Sequence, residues 1–226
     1  MNKVVIFGTS KYTDLVEHYF DAYTEYEVCG YTVDPPYLTE DTHKEKPVVA
    51  FDKLEAFFPP EEYLLFIAVG VKRLNTIRKR LYLQSKERGY HFASFIHPHA
   101  LIDSSAKIGE HCIIMENVVV HAFCEIGANS IFFPSSAITH HTSVGAHPFV
   151  SSGVVVGGCS EIGERAFVGL STVIHGRTHI GEGCLISSGS VITRDLEDNY
   201  FLGRDGRQLA INDRSIILLN HLLEGI

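Results

Sequence analysis

The sequence predicts a small α/β domain followed by a parallel β-helix. Three observations predict it: an apolar residue that returns every sixth position, an Ile/Val-Gly pair that returns every eighteenth, and a strand, turn, helix, strand unit at the N-terminus. The hexad series runs from Ile102 to Ile192 without a miss, and fifteen of its sixteen anchors are Ile or Val. Neither a helix of period 3.6 nor a half-buried strand of period 2 requires that spacing.

The Gly pairs, Ile108-Gly109, Ile126-Gly127, Val144-Gly145, Ile162-Gly163 and Ile180-Gly181, mean that three hexads make one turn. Each hexad then reads as a short strand plus a corner, with the β-branched anchor pointing inward. The residue two before each anchor is mostly small (Cys112, Cys124, Ser130, Ser136, Ser160, Ala166) and is expected to let the chain bend. Successive coils pass backbone hydrogen bonds to one another about 4.8 Å apart. Each buried anchor is worth roughly 1.5 to 3 kcal/mol before entropy is charged.

In chain order, Lys3 to Phe7 reads as a strand ending at Gly8, and a helical pattern follows through Leu15, Val16, Tyr19 and Phe20. A second strand from about Tyr26 to Val33 closes on Asp34, the layout that places a nucleotide at the ends of parallel strands. Only the first glycine of a G-x-G-x-x-G pattern is present, which argues against a dinucleotide-binding dehydrogenase. Residues 34–47 are turn-rich and read as a loop. A strand at 47–51, a short helix at 54–58, a buried strand at 63–69, an amphipathic helix over 71–88 and a last strand at 91–96 complete the first domain. The boundaries are therefore 1–95, 96–198 for the β-helix, and 199–226 for a C-terminal segment whose apolar stretch Ser215 to Leu223 reads as a helix capping the open end.

The formal net charge of -8, with nineteen Lys and Arg, argues against a nucleic-acid partner. No apolar run approaches a membrane span, and the N-terminus goes straight into a strand without a secretory-signal pattern, so a cytoplasmic protein is expected. The five cysteines have no metal or redox spacing; Cys112, Cys124 and Cys184 fall in the small slot and read as packing thiols.

Of thirteen histidines, His18, His43, His91, His111 and His221 have no partner in the sequence pattern and are expected at the surface. His140 is different. It lies two after its anchor Ile138 and so points away from the core, and the same position one and two coils later is Gly158 and Gly176, with Gly157 alongside. An outward imidazole beside bare backbone supplies what acyl transfer from a thioester needs, a base for the attacking group and an N–H donor for the oxyanion. Imidazole suits the role because its ordinary pKa, about 6.5, leaves it mostly neutral near neutral pH. His121 and His175 fall in the adjacent column.

Taken together, G-T-S-K near the start, C-G-Y-T-V-D, L-F-I-A-V-G-V-K-R-L-N-T-I-R, S-F-I-H-P-H-A-L-I-D and the hexads resemble the hexapeptide-repeat acyltransferases over almost the whole chain. The branch most similar acetylates sialic acids or 4-amino-sugar nucleotides. The resemblance implies a Rossmann-like first domain, a left-handed β-helix (an exception to the right-handed crossover rule), a homotrimer with sites between subunits, and acetyl-CoA as co-substrate. Thr139-His140-His141 matches the place of the family's catalytic histidine and Gly158 the glycine whose amide faces the acetyl carbonyl, with Gly157 and Gly176 beside the donor. The carboxylate that commonly follows that histidine is replaced by His141. Phe149 takes the position of another histidine near the acetyl donor, and Gly203 and Arg207 fall in the segment that touches coenzyme A, without its Pro-Ala. Gly8, Ser10, Lys11, Tyr12, Asp34 and Gly70 are implied as contacts to the nucleotide-linked sugar, although Lys11 and Tyr12 stand where the family usually has Gly and His.

The function expected from this is N-acetylation of a nucleotide-linked amino sugar in surface-glycan biosynthesis. The alternatives are O-acetylation of a sialic-acid-type sugar, a zinc enzyme of the carbonic-anhydrase type with metal on histidines, and a non-catalytic sugar-nucleotide-binding protein.

Overall fold

The computed structural model describes residues 2–203 and 206–211; the helix expected over Ser215 to Leu223 and the expected surface residue His221 lie outside the described residues. The chain divides into two compact units, one comprising the residues up to Gly70 with Arg80–Phe95, the other Val71–Lys79 with the residues from Ile96 onward.

In the first unit, β1 (Lys3–Phe7), β2 (Glu27–Val33), β3 (Thr42–His43), β4 (Lys46–Ala50) and β5 (Leu64–Ile67) form one sheet in the order β3-β4-β2-β1-β5. All pairs are parallel except the β3–β4 hairpin. Val4, Val5 and Ile6 of β1 are fully buried, as a central parallel strand demands. Helix α1 (Lys11–Tyr23) starts at Ser10, whose N–H donates to the Thr13 hydroxyl, and turns Thr13, Val16, Glu17 and Phe20 inward. Buried Glu17 is clamped by Lys44 and Lys46 at 2.8 and 2.6 Å. Burial alone pushes its carboxyl up, but the two lysine hydrogen bonds outweigh that and bring its pKa down to about 2. These lysines belong to the hairpin, so part of the segment expected to be a loop is paired structure held by charge.

The second unit is a coil of two-residue strands in three parallel sheets. The first sheet runs through Leu101–Ile102, Val119–Val120, Ala137–Ile138, Val155–Val156, Val173–Ile174 and Val191–Ile192; the second through 107–108, 125–126, 143–144, 161–162 and 179–180; the third includes 113–114, 131–132, 149–150, 167–168 and 185–186. The ladders between these strands pair residues eighteen apart, for example Ile138 with Val156 and Val150 with Val168.

The anchors and the small residues two before them line one core, Cys112, Cys124 and Cys184 included. The small residue is therefore packing, and it is not where the chain bends. The bend falls one position earlier, where every sixth residue from His111 to Gly189 has positive φ. Most of these are not glycine, so the coil holds ordinary residues in the left-handed region. Glycine is required elsewhere, in the Ile/Val-Gly column. A Cβ on Gly109, Gly127, Gly145, Gly163 or Gly181 would lie 2.5 to 2.7 Å from a backbone nitrogen of the next coil.

The outward residues differ from sheet to sheet. The second sheet is charged, with Lys107 bonded to Glu125 at 2.7 Å and Glu161 to His179 at 3.1 Å. The first presents an apolar row in which Leu101, Val155, Val173 and Val191 are 67, 41, 37 and 64% exposed. The outward residues of the third are buried.

Helix α2 (Thr76–Glu87) is shorter than the expected 71–88. Arg73, Leu74 and Asn75 are three consecutive residues with positive φ, and the Asn75 amide donates to the Arg165 carbonyl at 3.1 Å. Arg78 is fully buried and donates to the carbonyls of His147 and Pro148 at 2.8 and 2.7 Å and to Asn129 Oδ1 at 3.1 Å. Asn129 also bonds the rings of His111 and His147 at 2.8 and 2.7 Å. His111 is consequently a core residue, contrary to expectation: its corner is covered by the Arg78 side chain instead of water. The expected strand at 91–96 reduces to Phe95–Ile96 and an isolated bridge from Phe92 to Leu65.

Candidate active site

Two groups of candidate residues are assembled, one in each unit. In the β-helix, Thr139 to His141 form the corner between the first and second sheets. The Thr139 hydroxyl donates to the Val156 carbonyl at 2.7 Å, His141 N–H donates to the Ala122 carbonyl at 3.1 Å, and the His140 carbonyl accepts from Cys159 N–H at 2.9 Å. The backbone of His140 is thus fixed to the coils on both sides while its side chain is exposed.

The imidazole of His140 lies directly on Gly158. A Cβ there would be 2.6 Å from Cε1, 2.8 Å from Nε2 and 3.1 Å from Nδ1. On Gly157 a Cβ would fall 2.3 Å from the nitrogen of Gly176, and on Gly176 it would fall 3.0 Å from the Gly158 carbonyl oxygen. Gly157, Gly158 and Gly176 therefore form a stretch of bare backbone, and the ring rests on Gly158. Among the described residues the Gly158 N–H donates to no protein acceptor, and His140 Nε2 is likewise uncommitted. Nδ1 is 3.3 Å from Nδ1 of His141.

Other expected site residues are placed elsewhere. Phe149 is 1% exposed and stacked on Phe167 at 5.5 Å in the third sheet, not at the His140 corner. An outward position in that sheet is covered, so a ligand does not reach Phe149 there. Gly203 and Arg207 close one hairpin, the Gly203 N–H donating to the Arg207 carbonyl at 2.9 Å, at the end of the third sheet. His121 and His175 are exposed but three coils apart, about 14 Å on the coil spacing, too far to share a metal within one chain. Among the described residues no group of His, Cys, Asp and Glu is arranged to hold a metal ion.

In the first unit, Gly8, Ser10, Asp34 and Gly70 gather beyond the C-terminal ends of β1, β2 and β5, three adjacent strands. Gly8 has φ +122, and a Cβ there would be 2.8 Å from the Thr13 hydroxyl, so only glycine turns the chain into α1 at this point. Lys11 and Tyr12 occupy the first turn of that helix. Asp34 is bound by Arg80, Nη2 to Oδ2 at 2.7 Å. Arg80 was not apparent from the sequence. It lies 46 residues away on α2, and only the folded sheet brings the two together.

Residues 95–199 match the family model described as the GMPPB C-terminal domain. Among solved structures, the chain is similar to the acetyltransferase domain of PglB from Neisseria gonorrhoeae FA1090, with 24% identity, a TM-score of 0.81, and 92% of this chain and 100% of that one covered. It is equally similar to PerB from Caulobacter crescentus in complex with CoA and GDP-perosamine (24% identity, TM-score 0.81, 93% and 98% covered). The chain has the same fold as these two proteins. WeeI from Acinetobacter baumannii AYE shares it more distantly, at 16% identity and a TM-score of 0.61 over 91% of this chain and 99% of that one.

No helix among the described residues is long and apolar enough to cross a membrane.

Proposed function

We propose that this chain is an acetyl-CoA-dependent N-acetyltransferase acting on the amino group of a nucleotide-linked sugar in surface-glycan biosynthesis in the cytoplasm. The observation that carries the reading is the seating of the exposed His140 imidazole on the bare backbone of Gly158. Nε2 of His140 takes a proton from the sugar amine as its nitrogen attacks the thioester carbonyl carbon. The Gly158 N–H donates to the oxygen that becomes negative. As the C–N bond is completed the C–S bond breaks, and the proton held by His140 goes to the coenzyme A sulfur. The products are the N-acetyl sugar and free CoA.

Support for the acceptor class comes from the PglB domain crystallised with acetyl coenzyme A and from PerB with CoA and GDP-perosamine, which share this fold. In this reading the first unit is Rossmann-like and holds the nucleotide at Gly8, Ser10, Lys11, Tyr12, Asp34 and Gly70. The β-helix is left-handed, Gly157 and Gly176 flank the acetyl group, and Gly203 and Arg207 contact coenzyme A. The exposed apolar row of the first sheet, which borders the His140 corner, is the surface buried in a homotrimer.

The test is thiol release from acetyl-CoA with a panel of UDP-, GDP- and dTDP-linked amino sugars and of sialic acids. Turnover on the amino sugars, lost in His140→Ala, is expected; turnover on sialic acids alone contradicts the reading.

A further inference from the structure

The site contains a histidine pair where a histidine and a carboxylate are expected. His140 Nδ1 and His141 Nδ1 are 3.3 Å apart, with the two rings nearly perpendicular at 82°. At this distance the two nitrogens can share one hydrogen, with the tautomers deciding which ring donates and which accepts. His141 is held from two sides: its backbone is the left-handed corner residue, φ 57°, and its ring packs on Phe123 of the preceding coil at 4.8 Å.

For Nε2 of His140 to accept a proton, the neutral ring must carry its hydrogen on Nδ1. A free imidazole prefers the opposite tautomer, so a partner that accepts from Nδ1 selects the reactive form. We propose that His141 is the positioning residue of this site: its unprotonated Nδ1 accepts the Nδ1–H of His140, fixing the ring over Gly158 with Nε2 available as the base. The inference rests on the reading of His140 given above.

His141 supplies the hydrogen-bond acceptor without a fixed negative charge. Protonated His141 would instead donate to His140 Nδ1 and place the remaining hydrogen on Nε2, the unreactive arrangement. The pair therefore works only while it carries no extra proton. Among the described residues, the eighteen-residue register puts further ionisable or charged groups on neighbouring coils: His121 on the preceding coil with Asp103 beyond it, Cys159 on the following coil, and His175 and Arg177 one coil further.

The corner tolerates substitution, because the same left-handed position holds Phe at 123 and Asn at 117 and 129. His141→Phe removes the acceptor, and His141→Asn restores one that does not titrate. The test is long-range 1H–15N NMR of the histidine rings in the intact enzyme at pH 8, read beside turnover on acetyl-CoA and the amino-sugar nucleotide that the panel identifies.

In the wild type and in His141→Asn, His140 is expected as the Nδ1–H tautomer. In His141→Phe it is expected as Nε2–H, with kcat at least roughly 10-fold lower and the KM for acetyl-CoA within about twofold. The acidic limb of the kcat profile moves in His141→Asn, whereas a purely structural role would leave it in place. An Nε2–H tautomer in the wild type, or a tautomer unchanged in His141→Phe, overturns the proposal. His140→Ala separates the two readings: if it retains turnover the catalytic role of His140 falls, while the tautomer still decides the pairing.

Discussion

His140 occupies the space that a side chain at position 158 would need, Cε1 standing 2.6 Å from where a Cβ of residue 158 would be. The two residues are eighteen apart, and the ladders of the first sheet pair Ile138 with Val156, which carries the same register to the corner. The glycine there serves the histidine; its φ is not in the left-handed region.

Gly158→Ala is accordingly expected to push the imidazole off its seat while the coil remains intact. The expected outcome is a fall in kcat of roughly 10- to 100-fold with little change in Tm, because a misplacement of about 1 Å suffices for such a loss. Steady-state kinetics alongside differential scanning calorimetry separates this from general destabilisation, which would lower Tm first.

Acid stability follows from the cluster around Arg78. Burial lowers the pKa of His111 to about 3, with Arg78 adding repulsion, and that of His147 to about 4 through burial and then Arg78. An unfolded chain protonates these rings near their ordinary value of about 6.5. The folded state binds fewer protons below that, so the contribution is complete above about pH 6.5 and is lost as pH falls through about 4 and then about 3. Chemical denaturation between pH 7 and 4 is expected to show decreasing stability, with a shallower slope in His147→Gln. Equal slopes would mean that His147 is not buried in neutral form.

Arg80 holds one oxygen of Asp34 at the strand ends where the proposed function puts the nucleotide. Arg80→Ala is expected to raise the KM for the nucleotide sugar about 3- to 10-fold, a modest effect because the pair is partly exposed and screened. The KM for acetyl-CoA is expected to be unchanged. A variant with both constants at wild-type values would remove Asp34 and Arg80 from the binding site.

The apolar row on the first sheet gives a prediction about assembly. Val155→Lys combined with Val173→Lys places two ammonium groups on a face that a homotrimer would bury, where an unpaired charge costs several kcal/mol. Light scattering coupled to gel filtration is expected to show a trimer for the wild type and a smaller species for the double variant. A trimer in both would locate the subunit contact on another face.

How much of this was legible in the sequence depended on whether a residue's role is repeated. The anchors from Ile102 to Ile192 announce themselves because every coil asks the same thing of the same position, and the stacking of 140 on 158 followed by counting. The left-handed corners did not: His141, Phe123, Cys159 and Arg177 share one backbone conformation but no chemistry, because the coil and not the residue imposes it. Glu17 with Lys44 and Lys46, Arg78 with His147, and Asp34 with Arg80 join residues from 27 to 69 positions apart, and no local pattern records them. The burial of His111 and of Phe149 was hidden for a related reason. Both sit at outward positions of the coil, and whether such a position meets water depends on what else covers it.

The most direct test of the account is single-turnover acetyl transfer to the amino-sugar nucleotide, comparing the wild type with His140→Ala at equal assembly state and Tm. A rate at least roughly 100-fold lower is expected in the variant. Transfer by His140→Ala at close to the wild-type rate would contradict it.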